Sequence, residues 1–510
     1  MKASVFEIAG ARALERRLSR TLADLAAIGD KRAGSPGGVA SAAYILQRFR
    51  AAGLEDPCQE TFGFPAFALR GSTLRALDRE VAHEAFAYSG CGSGTAPMVH
   101  VGTGEAADYE GREVSGRVVL VERNVTFHRS AQYREAIARG AAGLISVSHA
   151  PGNLVQIGTV GEAEDGLGAI PAVSVGEHDG RDLIAAARSS TASTALASIR
   201  VDAAVEPGIG RNVVGRLPGD APALLIGAHH DTWHAGSTDN GTGVAVLIEL
   251  AEQLSRARRR RALAFVAYDA EELGLFGGYH FLRKHVIEAG QRFAAFLNLE
   301  IPGAGTDDIR ALAHTTALEE PLRSTALDEL YPVFVGLETV PALFGGVVPT
   351  DIQGAYRWGM QGATTACDSP WYHTIADTPD KVDLPFLARA AARWRRAVAA
   401  LDSAPDARLA ARDPHLWTLD VETRSTPAGL AVDARATLPG GGRASGAEIV
   451  ISLDVDDFTR VFRTTLRADA SGAASAFIPQ EVLRRGSGRR YVHITAGESW
   501  PLAERILPLG

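Results

Sequence analysis

Acid and imidazole side chains recur in the middle of this chain at places where metal ligands belong. His229 and Asp231 close the apolar run LLIGAHHD, and Asp239 follows in the turn STDNGTG. Glu271 and Glu272 come directly after ALAFVAYD, Glu300 ends AAFLNLE, and His373 lies in SPWYHTIADTPDKVD. Imidazole and carboxylate together suit a borderline cation such as zinc. A carboxylate can offer one oxygen to each of two ions, so His229, Asp239, Glu272, Glu300 and His373 suffice for a pair of metals. Hydrolysis at such a pair still needs a carboxylate that is not a ligand, to take a proton from water and deliver it to the leaving amine. The doublet Glu271–Glu272 provides one residue for the proton and one for the metal.

These groups need elements that bring them to one edge. Residues 206–408 alternate strand-like and helix-like patterns: LLIGAHHD, then GVAVLIELAEQLSRA, then ALAFVAYD, LFGGYHFLRKHV and AAFLNLE, closed by LPFLARAAARWRRAVAAL. That rhythm predicts an α/β unit, a mostly parallel mixed sheet with helices on both faces. Each candidate ligand falls at or beyond the carboxyl end of a predicted strand, the edge where sites of open α/β sheets assemble. Residues 1–60 read as two helices, near Ala11–Ala27 and Ala40–Ala52, separated by the breaker AGSPGG, and belong with the later unit. Residues 61–205 read as a separate α/β insert, built on GRVVLVER, GLISVS and AIPAVSV around the helix AQYREAIARGA. Residues 409–510 carry HLWTLDVETR, GLAVDARATLP, EIVISLDVDD, VFRTTLRAD and RRYVHITAG with turn residues between, which predicts an all-β sandwich of immunoglobulin-like type.

The stretches GAHHDT, STDNGTGVAVLIELA, AYDAEELGLFGGYHF, LNLE and YHTIADTPDKVD resemble the clan MH di-zinc metallopeptidases, which include bacterial leucyl-type aminopeptidases, aminopeptidase Y and glutamate carboxypeptidase. The resemblance implies two zinc ions per chain bridged by Asp239. His229 and Glu300 would complete one site, Glu272 and His373 the other. It further implies Glu271 as general base, Asp231 orienting His229, and Tyr372 steadying the tetrahedral oxyanion. Two departures stand out: the family usually has aspartate where this chain has Glu300, and tyrosine is common where it has His230. The pieces GRVVLVER, REAIARGAAGLISV and IPAVSVGEHDGRDLIA resemble the protease-associated domain, which implies a role in substrate access or interaction rather than in catalysis.

Bulk properties narrow the field. Of 510 residues 46% are hydrophobic and 22% charged, so a sizeable core is available. A net charge of −8 argues against nucleic acid as a partner. The three cysteines, Cys58, Cys91 and Cys367, form no disulfide framework. No secretory signal and no apolar run of about 18 residues is visible, so a cytoplasmic address and no membrane partner are expected. A homo-oligomer is compatible with the composition.

Several features are expected to be structural. His280 and His285 lie on the helix after Glu272, Cys367 reads as a buried small hydrophobe, and RARRRR (256–261) reads as a solvated helix end. His230 and His234 are equally compatible with pocket lining and with plain surface. Asn124-Val125-Thr126 matches a glycosylation sequon.

The leading reading is an exopeptidase acting on peptides, an aminopeptidase first, with a carboxypeptidase or N-acyl amidohydrolase as the alternative on the same site. An inactive receptor-like or scaffold relative would lack a ligand or the base. A single-zinc aminoacyl cyclase would lack part of the first site, and here His229 is in place.

Overall fold

Strand Ala221–His229 lies at the centre of the main sheet because both its faces are apolar. Leu224, Ile226 and Ala228 pack on one face with Leu263, Phe265, Ala295 and Leu297 of the neighbouring strands. Leu225 packs on the other with Val266, Tyr268 and Phe296. This period of two, buried on both sides, is the signature of a sheet covered by helices above and below. The structure, a computed structural model, describes residues 5–124, 128–161, 163–189, 195–304, 309–344, 346–486, 488–498 and 500–509.

The site-bearing part of the sheet runs Val333–Gly336, Arg310–His314, Gly362–Cys367, Phe293–Asn298, Ala221–His229, Arg261–Tyr268, Leu196–Leu217. From Gly362–Cys367 to Arg261–Tyr268 the strands are parallel, so their carboxyl ends share one edge. Arg310–His314 is antiparallel to Gly362–Cys367 and parallel to Val333–Gly336, Leu196–Leu217 is antiparallel to Arg261–Tyr268, and the sheet is mixed as expected. One face carries helices Val5–Ile28, Thr242–Leu254 and Leu384–Ser403. The first docks through Leu14, Leu18, Leu22 and Leu25, a helical stripe. Each such leucine contributes roughly 1.5–3 kcal/mol of burial.

The stretch AGSPGG is not only a break. Ser35 caps helix Pro36–Ala51 by accepting from Gly38 N at 3.1 Å, and Pro36 takes the first turn, where its missing N–H costs nothing. The arginine run also differs from its expected solvated role. Arg261 is fully buried at the start of a strand and donates to the carbonyls of Leu401 (3.1 Å) and Ala404 (2.8 Å), pinning the end of helix Leu384–Ser403. Arg260 is bound in the same corner, to the Asp402 and Ala404 carbonyls and to Asp406.

Two strands of 22 residues, Glu55–Ala76 and Leu196–Leu217, form an antiparallel ribbon from the main sheet into the insert. At its far end Leu196–Leu217 pairs with Gly92–His100, which continues into the parallel strands Val118–Glu122, Gly143–Val147 and Ala172–Val175. After residue 410 two antiparallel sheets of three and four strands face each other across Leu419, Val432, Ile451, Ile478 and Val492, the sandwich that the strand spacing predicts.

That sandwich is tied to the sheet by buried charge. Arg283 pairs with Asp454 at 3.2 Å, and Tyr279 donates to Glu504 at 3.2 Å. His493 lies 2.9 Å from Glu504 and 3.5 Å from Asp454. Burial alone would depress His493, but the two carboxylates outweigh it and lift it to about 9. A histidine raised on folding stabilises fully below its unfolded value of about 6.5, and the contribution is lost as pH rises through its folded value. The melting temperature is therefore expected to fall between about pH 7 and pH 10. His493→Gln should flatten that slope, and an unchanged slope would contradict this reading.

Candidate metal centre

His229 ends its strand with both ring nitrogens engaged. Nδ1 lies 2.9 Å from the main-chain oxygen of Asp231, which can only accept, so the proton is on Nδ1. Nε2 then faces Glu300 Oε1 at 3.1 Å and Asp239 Oδ1 at 3.2 Å. His373 repeats the arrangement. Its Nδ1 donates to the Ile157 carbonyl at 2.9 Å, and its Nε2 faces Asp239 Oδ2 and Glu272 Oε2, each at 3.0 Å. Asp239 thus presents one oxygen to each imidazole. Two groups of candidate ligand atoms share it: His229, Asp239, Glu300 and Asp239, Glu272, His373, each within 4.8 Å.

A lone pair facing carboxylate oxygens at 3 Å is repulsive unless a proton or a metal cation lies among them. His373 Nε2, Asp239 Oδ1, Glu272 Oε1 and Glu300 Oε2 are buried without a hydrogen-bond partner, which a buried polar atom tolerates poorly. The field points the same way. Burial opposes charge on His229, yet Glu300 and Glu271 raise it well above the usual histidine range. Burial pushes Glu300 up to about 7, with His229 opposing. The donor set fits metal ions.

Neighbouring groups hold the ligands in place. The Asp231 carboxylate accepts from the main-chain N–H of Glu271 (3.1 Å) and Glu272 (3.2 Å), locking the turn after strand Arg261–Tyr268 to the end of strand Ala221–His229. It also lies 3.6 Å from His229 Nδ1, so Asp231 meets that ring chiefly through its main chain. Glu271 Oε2 sits 3.9 Å from His229 Nε2, beside both groups. Tyr372 stacks on the His373 imidazole with ring centroids 3.7 Å apart.

Other residues of the centre carry no sequence signal of their own. Trp233 Nε1 donates to Glu272 Oε2 at 2.8 Å. Asp377 accepts from the main-chain N–H of Thr238 (2.8 Å) and Asp239 (3.1 Å). Asn240 Nδ2 donates to Leu299 O at 2.9 Å, and its Oδ1 accepts from Ile301 N at 3.0 Å, tying the Asp239 turn to Glu300. Helix Thr242–Leu254 approaches this corner so closely that a Cβ on Gly243 would come within 2.3 Å of Leu299 O and Asn240 Oδ1. His230 is buried with Nε2 on Arg211 O at 2.9 Å, and His280 stacks on Phe62. His285 meets Glu60 at 3.0 Å, and Cys367 is buried. His234 is half-buried and belongs to neither ligand group. Of the sequon, Val125 and Thr126 lie outside the described residues.

The insert reaches the centre itself. Ile157 exchanges two main-chain-directed bonds with His373, Gln156 Nε2 donates to Tyr372 O at 2.9 Å, and Thr159 Oγ1 donates to Glu272 O at 2.6 Å. Bonds of this kind orient ligands, and their loss typically weakens metal binding by about 10–100-fold. The double substitution Gln156→Ala, Thr159→Val should weaken metal retention against a chelator by roughly tenfold. Unchanged retention would mean that the insert touches the centre without steadying it.

Comparison with known proteins supplies the family. The description "Peptidase family M28" matches residues 212–398 and "PA domain" matches residues 84–183. A probable lipoprotein aminopeptidase of Mycobacterium tuberculosis is 30% identical over 404 residues, which span 70% of this chain and 77% of that protein. The chain belongs to peptidase family M28. Among solved structures, this M28 chain is similar to an aminopeptidase from Aneurinibacillus sp. strain AM-1. The identity is 27% and the TM-score 0.55, over 75% of this chain and 93% of the other. A zinc aminopeptidase from Bacillus subtilis, 22% identical, shares the fold with a TM-score of 0.58 over 75% and 94% of the two chains. The M28 chain is a peptide-bond hydrolase carrying a protease-associated domain, as the sequence resemblance implies. Among its described residues no helix is long and apolar enough to cross a membrane.

Proposed function

We propose that this M28 peptidase is a two-zinc aminopeptidase, which removes residues from the free amino end of peptides. The observation that carries the reading is the placement of Asp239, one oxygen 3.2 Å from His229 Nε2 and the other 3.0 Å from His373 Nε2. His229 and Glu300 would hold one ion, Glu272 and His373 the other, with Asp239 shared. Asp239, Glu272, Glu300 and Glu271 crowd four carboxylates into one buried volume, a negative charge that two divalent cations offset better than one. When bound, the ion pair polarises the scissile carbonyl and acidifies the attacking water.

The remaining work falls to side chains. Burial, reinforced by Glu300 and Glu272, raises Glu271 well above the usual carboxylate range, against the pull of His229. Standing 3.9 Å from His229 Nε2 and outside both groups of candidate ligand atoms, Glu271 is the carboxylate free to accept the proton of water and return it to the leaving amine. Burial likewise raises the Tyr372 phenol, so it stays protonated and can donate to the developing oxyanion. Glu300 Oε2 has no hydrogen-bond partner, and Glu300 lines the cavity beside the centre. A carboxylate at the edge of that cavity can meet the substrate's ammonium group, and this favours a free amino end over a blocked one. The longer arm of glutamate, compared with the usual aspartate, is compatible with this contact.

The test compares one dipeptide with its N-acetylated form on zinc-loaded protein. Acetylation is expected to abolish cleavage, because Glu300 would face a neutral amide in place of an ammonium. Cleavage of the acetylated dipeptide as well as or better than the free one would replace the aminopeptidase reading with an N-acyl amidohydrolase.

A further inference from the structure

Glu271 and Glu272 stand on a strained turn. Ala270 and Leu275 have φ of 59° and 60°, in the left-handed region that favours glycine. Such conformations persist where the surrounding structure over-determines them. Main-chain bonds close the turn, Leu275 N donating to Glu271 O at 2.9 Å and Phe276 N to Ala270 O at 3.1 Å. The side chain that anchors it is Phe276, which is fully buried.

Phe276 owes part of its packing to the C-terminal sandwich. The hairpin joining strands Glu448–Val455 and Arg460–Arg467 carries Phe458 at its tip, 3% exposed. Its ring centroid lies 5.1 Å from that of Phe276 and 6.3 Å from that of Phe62. The Arg283 guanidinium covers the same ring, with Cζ 4.1 Å from the centroid. The apolar cluster that receives Phe458 also contains Ala270 and Leu273, which flank the glutamate doublet, and Trp233, which holds Glu272.

Phe458 itself has a φ of 63°. A turn that needed only this backbone shape would be served better by glycine, so the ring is the reason for the residue. The hairpin is closely seated, since a Cβ on Gly63 of the ribbon would come within 3.0 Å of Asp457 Cβ. At its flank Arg460 and Arg463 reach Asp165 of the insert at 3.2 and 2.8 Å.

We infer that Phe458 is a positioning residue for the metal centre: the sandwich inserts it against Phe276 and thereby fixes the turn that carries Glu271 and Glu272. The inference rests on the roles proposed for those two glutamates, and it gives the sandwich a part in the reaction.

Zinc retention against a chelator and steady-state hydrolysis of leucyl-glycine are compared in wild type, Phe458→Gly and Phe458→Leu. Glycine removes the ring and suits the backbone, so the hairpin keeps its shape. Phe458→Gly is expected to hold zinc roughly tenfold less tightly and to lose kcat roughly tenfold. KM should stay within about twofold, because the cavity beside Glu300 and Tyr372 is untouched. Phe458→Leu keeps an apolar group in the same seat and should lose only about threefold in each readout. A merely structural role would lower the melting temperature and leave retention and kcat alone. Unchanged retention and kcat in Phe458→Gly overturn the inference, as does a Phe458→Leu protein that fares no better than Phe458→Gly. Should Phe458→Gly fail to fold, the deficit in Phe458→Leu decides, and its absence overturns the inference. Because retention needs no substrate, wild-type protein that hydrolyses no free-amine peptide would overturn the aminopeptidase reading while retention still judges Phe458.

Discussion

Glu271→Gln is expected to lower kcat by about 10²–10⁴-fold while leaving the metal content unchanged. Glutamine keeps the shape of the side chain but cannot accept the proton of water. The carboxylate it replaces stands 3.9 Å from His229 Nε2, and Glu271 is absent from both groups of candidate ligand atoms. Glu272→Gln should behave differently although the two residues are adjacent. Glu272 faces His373 Nε2 at 3.0 Å and is held by Trp233, so its replacement should reduce metal occupancy along with the rate. Elemental analysis beside steady-state kinetics distinguishes the two variants. Equal metal content and equal residual rate in both would break the assignment of roles.

Asp239→Ala is expected to have the largest effect on the metals. Asp239 alone belongs to both groups of ligand atoms. Burial would raise its carboxyl, but His229 and His373 hold it far below the usual carboxylate range, so it is fully charged. Its removal deprives each ion of a ligand and leaves the two imidazoles without the anion between them. Both sites should lose affinity together, and activity should fall at least as far as in Glu271→Gln. Retention of one tightly held ion in Asp239→Ala would show that the sites are independent, contrary to a shared bridge.

Which parts could be read from the sequence follows from what pattern can encode. The two groups of candidate ligand atoms were legible because their members are acids or imidazoles at the end of an apolar run or in the turn or loop after it, and four parallel strands carry those ends to one edge. Trp233, Asp377 and Asn240 were not, since their work is to bond main-chain groups or the ligand-facing oxygen of Glu272, which no spacing announces. The contact of Ile157 with His373 is harder still to anticipate, because a main-chain carbonyl has no residue type. The long ribbon has no such mark in the sequence; Pro65 and Pro207 stand opposite each other in its two-stranded stretch, where a missing N–H can face away from the partner. Arg261 shows the same limit from the other side. A run of arginines reads as solvated unless the carbonyls of Leu401 and Ala404, some 140 residues later, are already in view.

The shared-bridge account is tested most directly by counting zinc in wild-type protein, purified without chelator and fully active. Two ions per chain are expected, with activity rising in step with occupancy of the second. Full activity at one ion per chain, or with none, would contradict the account.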